Sequence, residues 1–280
     1  MINLKLVAKG FLMGVAEIIP GVSGGTLALI LGIYERLINA LSNIDFIFLQ
    51  LLTRKELKTA WDYIDGNFLL KLLVGMLFGV LSFSYIIALL FEYPFFLKTL
   101  FSSLLMGSLL IEPLRPNKVN KRLSIGFVIS LALAILLFNT PVFSSNDVNL
   151  GYVFFGGFIA ICALILPGIS GSFILLLLGL YQFMIHALND MNYSIIIIFI
   201  LGCITGLLVF VRFLKALYET KRDYLEGLFF GLVLFSIPLL WREELQAFQS
   251  LNLRIYLMEI TLGIFIGCMM LFFLNRSKEV

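Results

Sequence analysis

Hydrophobic residues fall along this chain in long runs rather than in alternation, and short polar or charged segments cut the runs apart. Six runs predict membrane helices, at 68–91, 96–111, 123–138, 194–217, 224–240 and 255–274. Two further apolar regions, 4–41 and 151–188, are each split in the middle by proline and paired glycines. Their arms are about 14–18 residues long, or about 21–27 Å as helix, which is short of a hydrocarbon core of about 30 Å. Such arms predict re-entrant hairpins. A break at membrane depth survives only where it is packed in protein or lines a polar cavity.

The two breaks are copies. Pro20-Gly21-Val22-Ser23-Gly24 recurs at a constant offset of 147 positions as Pro167-Gly168-Ile169-Ser170-Gly171. Both run on to a Gly-x-Tyr, at Gly32-Ile33-Tyr34 and Gly179-Leu180-Tyr181. The likeness extends further. Gly75-x-x-x-Gly79 matches Gly202-x-x-x-Gly206, followed by Phe83 with Phe210 and Glu92 with Glu219, and Ser103-x-x-x-Gly107 matches Gly227-x-x-x-Gly231. Small residues four apart let membrane helices approach closely.

Loop charge sets the expected orientation. Basic residues cluster at Lys5 and Lys9, at Arg54, Lys55, Lys58 and Lys71, at Arg115, Lys118, Lys121 and Arg122, at Lys221 and Arg222, and at Arg276 and Lys278, whereas 139–150 and 187–193 carry none. Cytoplasmic loops hold the excess of Lys and Arg. The first hairpin is therefore expected to enter from the cytoplasm and the second from the exterior, with both termini inside. The fold class expected is an all-α polytopic membrane protein with an inverted-topology repeat, each half one re-entrant helical hairpin plus three transmembrane helices. Residues 1–123 would hold the hairpin 4–41, an interfacial helix 44–65 and the spans 68–91 and 96–111. Residues 124–150 would hold the third span and an exterior loop. Residues 151–280 would form the second repeat, with the hairpin 151–188 and the spans 194–217, 224–240 and 255–274. In 44–65, Leu49, Leu52, Ala60, Trp61 and Ile64 share one helical face opposite Arg54, Lys55, Glu56 and Lys58, the pattern of a helix lying in the interface.

Composition agrees and excludes several classes. Of 280 residues, 61% are hydrophobic and 13% charged, with mean hydropathy +1.05. A soluble domain is about half apolar and about a quarter charged. The net charge of +3 and the absence of a basic block give nucleic acid nothing to bind. Cys162, Cys203 and Cys268 all lie in apolar runs and read as small buried thiols, with no disulfide framework and no metal motif. His186 is the only histidine, and no Walker-type lysine follows the glycines. No metal and no cofactor is expected.

The candidate chemistry lies at the breaks. Ser23-Gly24-Gly25-Thr26 and Ser170-Gly171-Ser172 are good N-cap residues for the return arms, and unpaired amides at such a start attract phosphate or carboxylate. The substrate-binding candidates are Pro20, Gly21, Ser23, Gly24, Gly25, Thr26, Pro167, Gly168, Ser170, Gly171 and Ser172. In the plainer reading the tips only close the fold and the serines only cap. Glu17, three residues before the first break, is an intramembrane carboxylate and hence a candidate for coupling to a proton or cation; its counterpart is Leu164. Alternatively, Glu17 is a structural group bonded to the opposite tip. Arg212 could pair a phosphate bidentately or snorkel with Lys215 toward the cytoplasm. Tyr34 and Tyr181 read as interface markers, and Glu35-Arg36 as a surface pair.

The string Glu17-Ile18-Ile19-Pro20-Gly21-Val22-Ser23-Gly24-Gly25-Thr26, with Leu166-Pro167-Gly168-Ile169-Ser170-Gly171-Ser172, resembles the bacterial polyprenyl-phosphate (undecaprenyl phosphate) transporter family of the PopT type, over nearly the whole chain. The resemblance implies a non-enzymatic, multi-pass protein of the bacterial cytoplasmic membrane. It would return undecaprenyl phosphate from the outer to the cytoplasmic leaflet for cell-envelope recycling. Its partners would be that lipid, membrane lipids and, through Glu17, protons or sodium as coupling ion. The second copy departs from the first, with Ser172-Phe173 in place of Gly25-Thr26. Two other readings use the same residues. One is a carrier or channel for another phospholipid or a small organic anion. The other is an intramembrane serine protease built on Gly-x-Ser-Gly, which needs a base; His186 lies about 20 Å from its tip by helical rise. Transport would proceed by one inverted half rocking or gating against the other.

Overall fold

Inside hydrocarbon a backbone amide has no water to bond, so apolar runs fold as helix and satisfy themselves within the segment. The computed structural model describes residues 4–18, 23–90, 92–110, 114–116, 118–140, 148–242 and 256–276. Among these residues there are fourteen helices and no strand. The first hairpin region gives α1 (Leu4–Glu17), α2 (Gly24–Ile30) and α3 (Tyr34–Ser42). Then come α4 (Phe46–Thr53), α5 (Leu57–Tyr63), α6 (Gly66–Leu90), α7 (Pro94–Ser108) and α8 (Lys121–Asn139). The second hairpin region gives α9 (Leu150–Ile165), α10 (Gly171–Leu177) and α11 (Tyr181–Asn189), followed by α12 (Tyr193–Thr220), α13 (Arg222–Leu240) and α14 (Leu257–Arg276).

The chain is an all-helical, multi-pass membrane protein. Four helices, α6, α8, α12 and α13, are long and apolar enough to cross a membrane, and α10 with α11 forms a fifth candidate bent by 103°. Of the six expected spans, the other two are shorter. Helix α7 has 15 residues, about 22 Å, and the apolar stretch of α14 covers Leu257–Phe272.

Three expectations about the connecting elements change. Each return arm is two helices rather than one, because the chain turns at Gly32 and Gly179, both with φ +67. The interfacial segment 44–65 is likewise two short helices, separated at Arg54–Glu56 where Lys55 takes φ 59. Within it Ala60 and Ile64 turn inward, while Phe46, Ile47, Leu49, Leu52, Leu57 and Trp61 are exposed.

Helix packing repeats in register between the halves. Helix α1 lies on α6 as α9 lies on α12. A side-chain carbon on Gly75 would run into the Val7 carbonyl, and one on Gly202 into that of Phe154. The same holds for Gly79 with Phe11 against Gly206 with Phe158, and for Gly10 with Leu72 against Gly157 with Phe199. Every pair in the second set is the counterpart of one in the first, at the 147-position offset for the hairpin residue.

The remaining helices pair across the middle of the chain, with α7 on α14 and α8 on α13. A simple rocking of one sequence half against the other would therefore have to pull open a pair of close-packed seams. Both seams carry glycines set against main-chain carbonyls, Gly263 and Gly267 against Phe96 and Leu100 in the first and Gly227 in the second, but not every glycine in them is so confined. Gly227 backs onto the Leu123 carbonyl, whereas Gly107 faces only the end of the Leu271 side chain. A leucine tip can rotate away, so Gly107→Ala is expected to be near neutral, within about 0.5 kcal/mol, when thermal midpoints are compared in detergent.

Candidate functional site

The second break is fully described and the first from Ser23 onward; Pro20 and Gly21 lie outside the described residues. Ser23 has extended backbone (φ −115, ψ 131) and caps α2, its Oγ accepting from the Gly25 amide at 3.1 Å. The adjacent Gly24 amide donates to Glu17 Oε1 at 2.7 Å. The hydroxyl of Ser23 also reaches across the molecule and donates to the Leu166 carbonyl at 3.1 Å, with the Leu164 carbonyl at 3.4 Å. Returning the contact, the Gly168 amide donates to Thr26 Oγ1 at 2.8 Å. The two breaks, 147 residues apart in the chain, thus meet and are stitched by side chain-to-backbone hydrogen bonds.

The junction is buried and tight. Ser23, Thr26 and Ser170 are at most 2% exposed, and every residue of α2 is buried. Buried polar groups of this kind cost free energy unless bonded; the cross-bonds satisfy Ser23 and Thr26, and Ser172 satisfies Ser170. Gly25 admits the Ile165 carbonyl where a side-chain carbon would sit. Gly168 takes φ +83 and lies under the Leu232 carbonyl of α13.

The two tips differ. In the first, Glu17 and Ser23 bond the amides of Gly24 and Gly25. In the second, Ser170 makes no capping bond, and its hydroxyl pairs with that of Ser172 at 2.7 Å. At the far ends of the short helices, the Leu31 carbonyl accepts from Lys9 Nζ at 2.8 Å and the Leu178 carbonyl from the Tyr152 hydroxyl at 2.7 Å. Lys9 therefore belongs to the hairpin and is not a free cation ahead of it. Sequence reasoning missed both donors. The available signal was a lysine inside an apolar arm, two helical turns before Glu17.

Residues 13–250 match a family model described as undecaprenyl phosphate translocase-like. The chain is also 34% identical, over 243 residues, to a polyprenyl-phosphate transporter of Vibrio cholerae serotype O1, a match covering 85% of this chain and 77% of that one. The chain belongs to the undecaprenyl phosphate translocase-like family. No solved structure matches it. This kinship is with a transporter rather than an enzyme, as the doubled motif leads one to expect.

The other candidates take more ordinary places in this translocase-like chain. Arg212 Nη2 donates to the Ile44 carbonyl at 2.8 Å and Lys215 Nζ lies 3.5 Å from Asn43 Oδ1, so both hold the turn between α3 and α4. The structure thus gives Arg212 a main-chain partner in that turn. Tyr34 is not an interface marker. It is buried, with its ring edge-on to Phe229 at 5.4 Å and its hydroxyl unpaired, because the turn at Gly32 folds α3 back into the core. Tyr181, in contrast, is 42% exposed. Glu35 and Arg36 are both exposed, and Arg36 pairs with Asp65 at 2.6 Å and lies over the Phe68 ring. His186 is exposed on α11, and the bonds of Ser23 and Ser170 run to main chain and to Ser172, so neither serine has a base among the described residues. The thiols are less buried than expected: Cys162 and Cys203 are partly exposed and Cys268 is exposed on α14. No cluster that could hold a metal occurs among the described residues.

Proposed function

We propose that this protein carries undecaprenyl phosphate from the outer to the cytoplasmic leaflet of the bacterial cytoplasmic membrane, and that the phosphate binds where the two tips meet. The observation that carries the reading is the junction itself, with Ser23 bonded to Leu166 and Gly168 bonded to Thr26. Polar donors gathered between apolar arms suit a lipid whose headgroup is anionic and whose chain stays in hydrocarbon. The binding residues are Ser23, Thr26, Ser170 and Ser172 with the main-chain amides of Gly21, Gly24, Gly25, Gly168 and Gly171, and Pro20 and Pro167, which have no N–H to donate, break the helix so that those amides are free to turn toward the headgroup. Bonds now made across the junction are exchanged for bonds to phosphate oxygens as the headgroup enters. The Ser170–Ser172 pair, which caps nothing, has the least to give up.

The register-matched seams and the loop charges support an inverted duplication, with hairpins entering from opposite faces and both termini cytoplasmic. Since the halves interlock through α7 with α14 and α8 with α13, the elements that move are the hairpins with α6 and α12, sliding on those paired helices. Glu17 is the coupling group. Its carboxylate already occupies the Gly24 amide, and protonation weakens it as an acceptor, freeing that amide for phosphate.

Leaflet-resolved transfer of labelled undecaprenyl phosphate in proteoliposomes, with and without a pH gradient, tests the reading. Transfer is expected for this lipid and not for phosphatidate or a small organic anion; equal transfer of all three would overturn it. Glu17→Gln is expected to flatten a pH dependence that, for one proton, reaches about tenfold per pH unit. If Glu17→Gln keeps that slope, or if sodium alone drives transfer, the proton role fails.

A further inference from the structure

We infer that the contact of α3 with α12 is a closed gate on the cytoplasmic side, and that its repeat counterpart, α11 against α6, stands open on the exterior side and closes when the first one parts. The inference rests on the inverted duplication and the orientation proposed above, and it assigns the two surfaces that alternate.

Helix α3 lies on α2 and α6 of its own half as α11 lies on α10 and α12. One contact between the halves breaks this correspondence. Helix α3 also packs along α12, whereas α11 makes no comparable contact with α6 among the described residues. Equivalent side chains record the difference. Tyr34 and Ile38 are each 2% exposed, while Tyr181 and Ile185, at the same places in the second copy, are each 42% exposed. Across the contact, in the register that pairs Gly75 with Gly202, buried Val211 corresponds to exposed Ser84 and Arg212 to exposed Tyr85. One pattern folded twice has thus made an interface in one place and left its twin unmade. Alternating access between inverted repeats needs two such arrangements, each the exchange of the other.

The closed contact is built to part. Arg212 Nη2 holds the Ile44 carbonyl at 2.8 Å and Lys215 Nζ lies 3.5 Å from Asn43 Oδ1; these long side chains reach from the surface, where water can take over their bonds. Between the two helices lies a polar cavity lined by Glu35, Ile38, Asn39, Lys215, Tyr218 and Glu219. The buried Tyr34 hydroxyl has no partner while α3 is docked, a cost that water relieves once α3 lifts. Arg36 bonded to Asp65, and Asn43 Nδ2 to the Tyr63 carbonyl, tie α3 to its own half. It therefore leaves α12 together with α5 and α6, and the same rocking carries α6 toward α11. Helices α2 and α10 lead from the meeting tips to α3 and α11, so the headgroup site opens to one side or the other as the contacts alternate.

Paired cysteines test this in the whole chain with Cys162, Cys203 and Cys268 replaced by serine. I44C/R212C reports the made contact and M191C/Y85C its counterpart, each bridged by a reducible bifunctional maleimide. I44C/R212C is expected to bridge in the resting protein and to abolish undecaprenyl phosphate transfer in proteoliposomes until the bridge is reduced. M191C/Y85C is expected to bridge only during transfer, and never in a molecule already bridged at the first pair. Transfer that survives a complete I44C/R212C bridge overturns the inference, as does bridging of both pairs in one molecule. A M191C/Y85C bridge between two chains overturns it too, because a second copy would then cover that face. If I44C/R212C does not fold, I38C and I185C labelled singly with a membrane-impermeant maleimide decide the matter. During transfer I38C is expected to gain reactivity from the cytoplasmic side and I185C to lose it from the exterior; a change of the same sign in both overturns the inference. Mutually exclusive bridging without transfer of undecaprenyl phosphate leaves the gates standing and removes the lipid assignment instead.

Discussion

Gly168→Ala is expected to remove most transport and much of the folded protein. Gly168 has φ +83, where an L-residue costs about 1–2 kcal/mol. The added carbon would also strike the Leu232 carbonyl and the Val233 nitrogen. These are main-chain atoms of α13 and cannot rotate aside, so the tip itself must lift. Lifting it draws the Gly168 amide off Thr26 Oγ1, and an orphaned buried amide costs about 1–3 kcal/mol more. Gly32→Ala is the control. Gly32 shares a positive φ of +67 but has no atom within 4 Å of the added carbon, so only the conformational cost of about 1–2 kcal/mol applies. Monodisperse yield, thermal midpoint and lipid transfer are compared for the two variants. Equal damage would mean that the contact with α13 is unimportant.

Thr26→Val is the second large expected effect. Valine keeps the shape but puts a methyl group in place of the hydroxyl whose Oγ1 accepts from Gly168 at 2.8 Å. Thr26 is 0% exposed, so water cannot replace the bond, and the loss is about 1–3 kcal/mol. For a chain of this size each kcal/mol lowers the thermal midpoint by about 2–4 °C, which gives a fall of several degrees. Lipid transfer should fall further than stability, because the lost hydroxyl is also a proposed phosphate donor. Thr26→Ser retains the oxygen and is expected to recover most of both. Should Thr26→Val match the wild type in midpoint and transfer, the bond between the tips would carry no weight.

Much of this was legible along the chain because it depends on local chemistry. Proline and paired glycines break a helix wherever they stand, so the two breaks and their common offset are visible from Pro20 and Pro167 alone. Glycines four apart mark close seams, and Gly75, Gly79, Gly202 and Gly206 do lie against neighbouring carbonyls. Other readings failed for one shared reason. Lipid and protein interior are equally apolar, so hydropathy places a helix in the membrane without choosing its neighbour. That is why Tyr34 read as an interface marker, Cys268 as buried, and Lys9 as a loop cation.

The sequence by itself determined that this is a helical membrane protein with two matching broken hairpins, since helix length, helix breaking and loop charge are properties of neighbouring residues. Only the tertiary structure decided that the tips bond to one another, that α7 pairs with α14 and α8 with α13, and that Lys9 and Glu17 hold opposite ends of α2. Each of those joins groups that meet because the folded backbone brings one carbonyl or amide to one side chain, and no spacing along the chain specifies which.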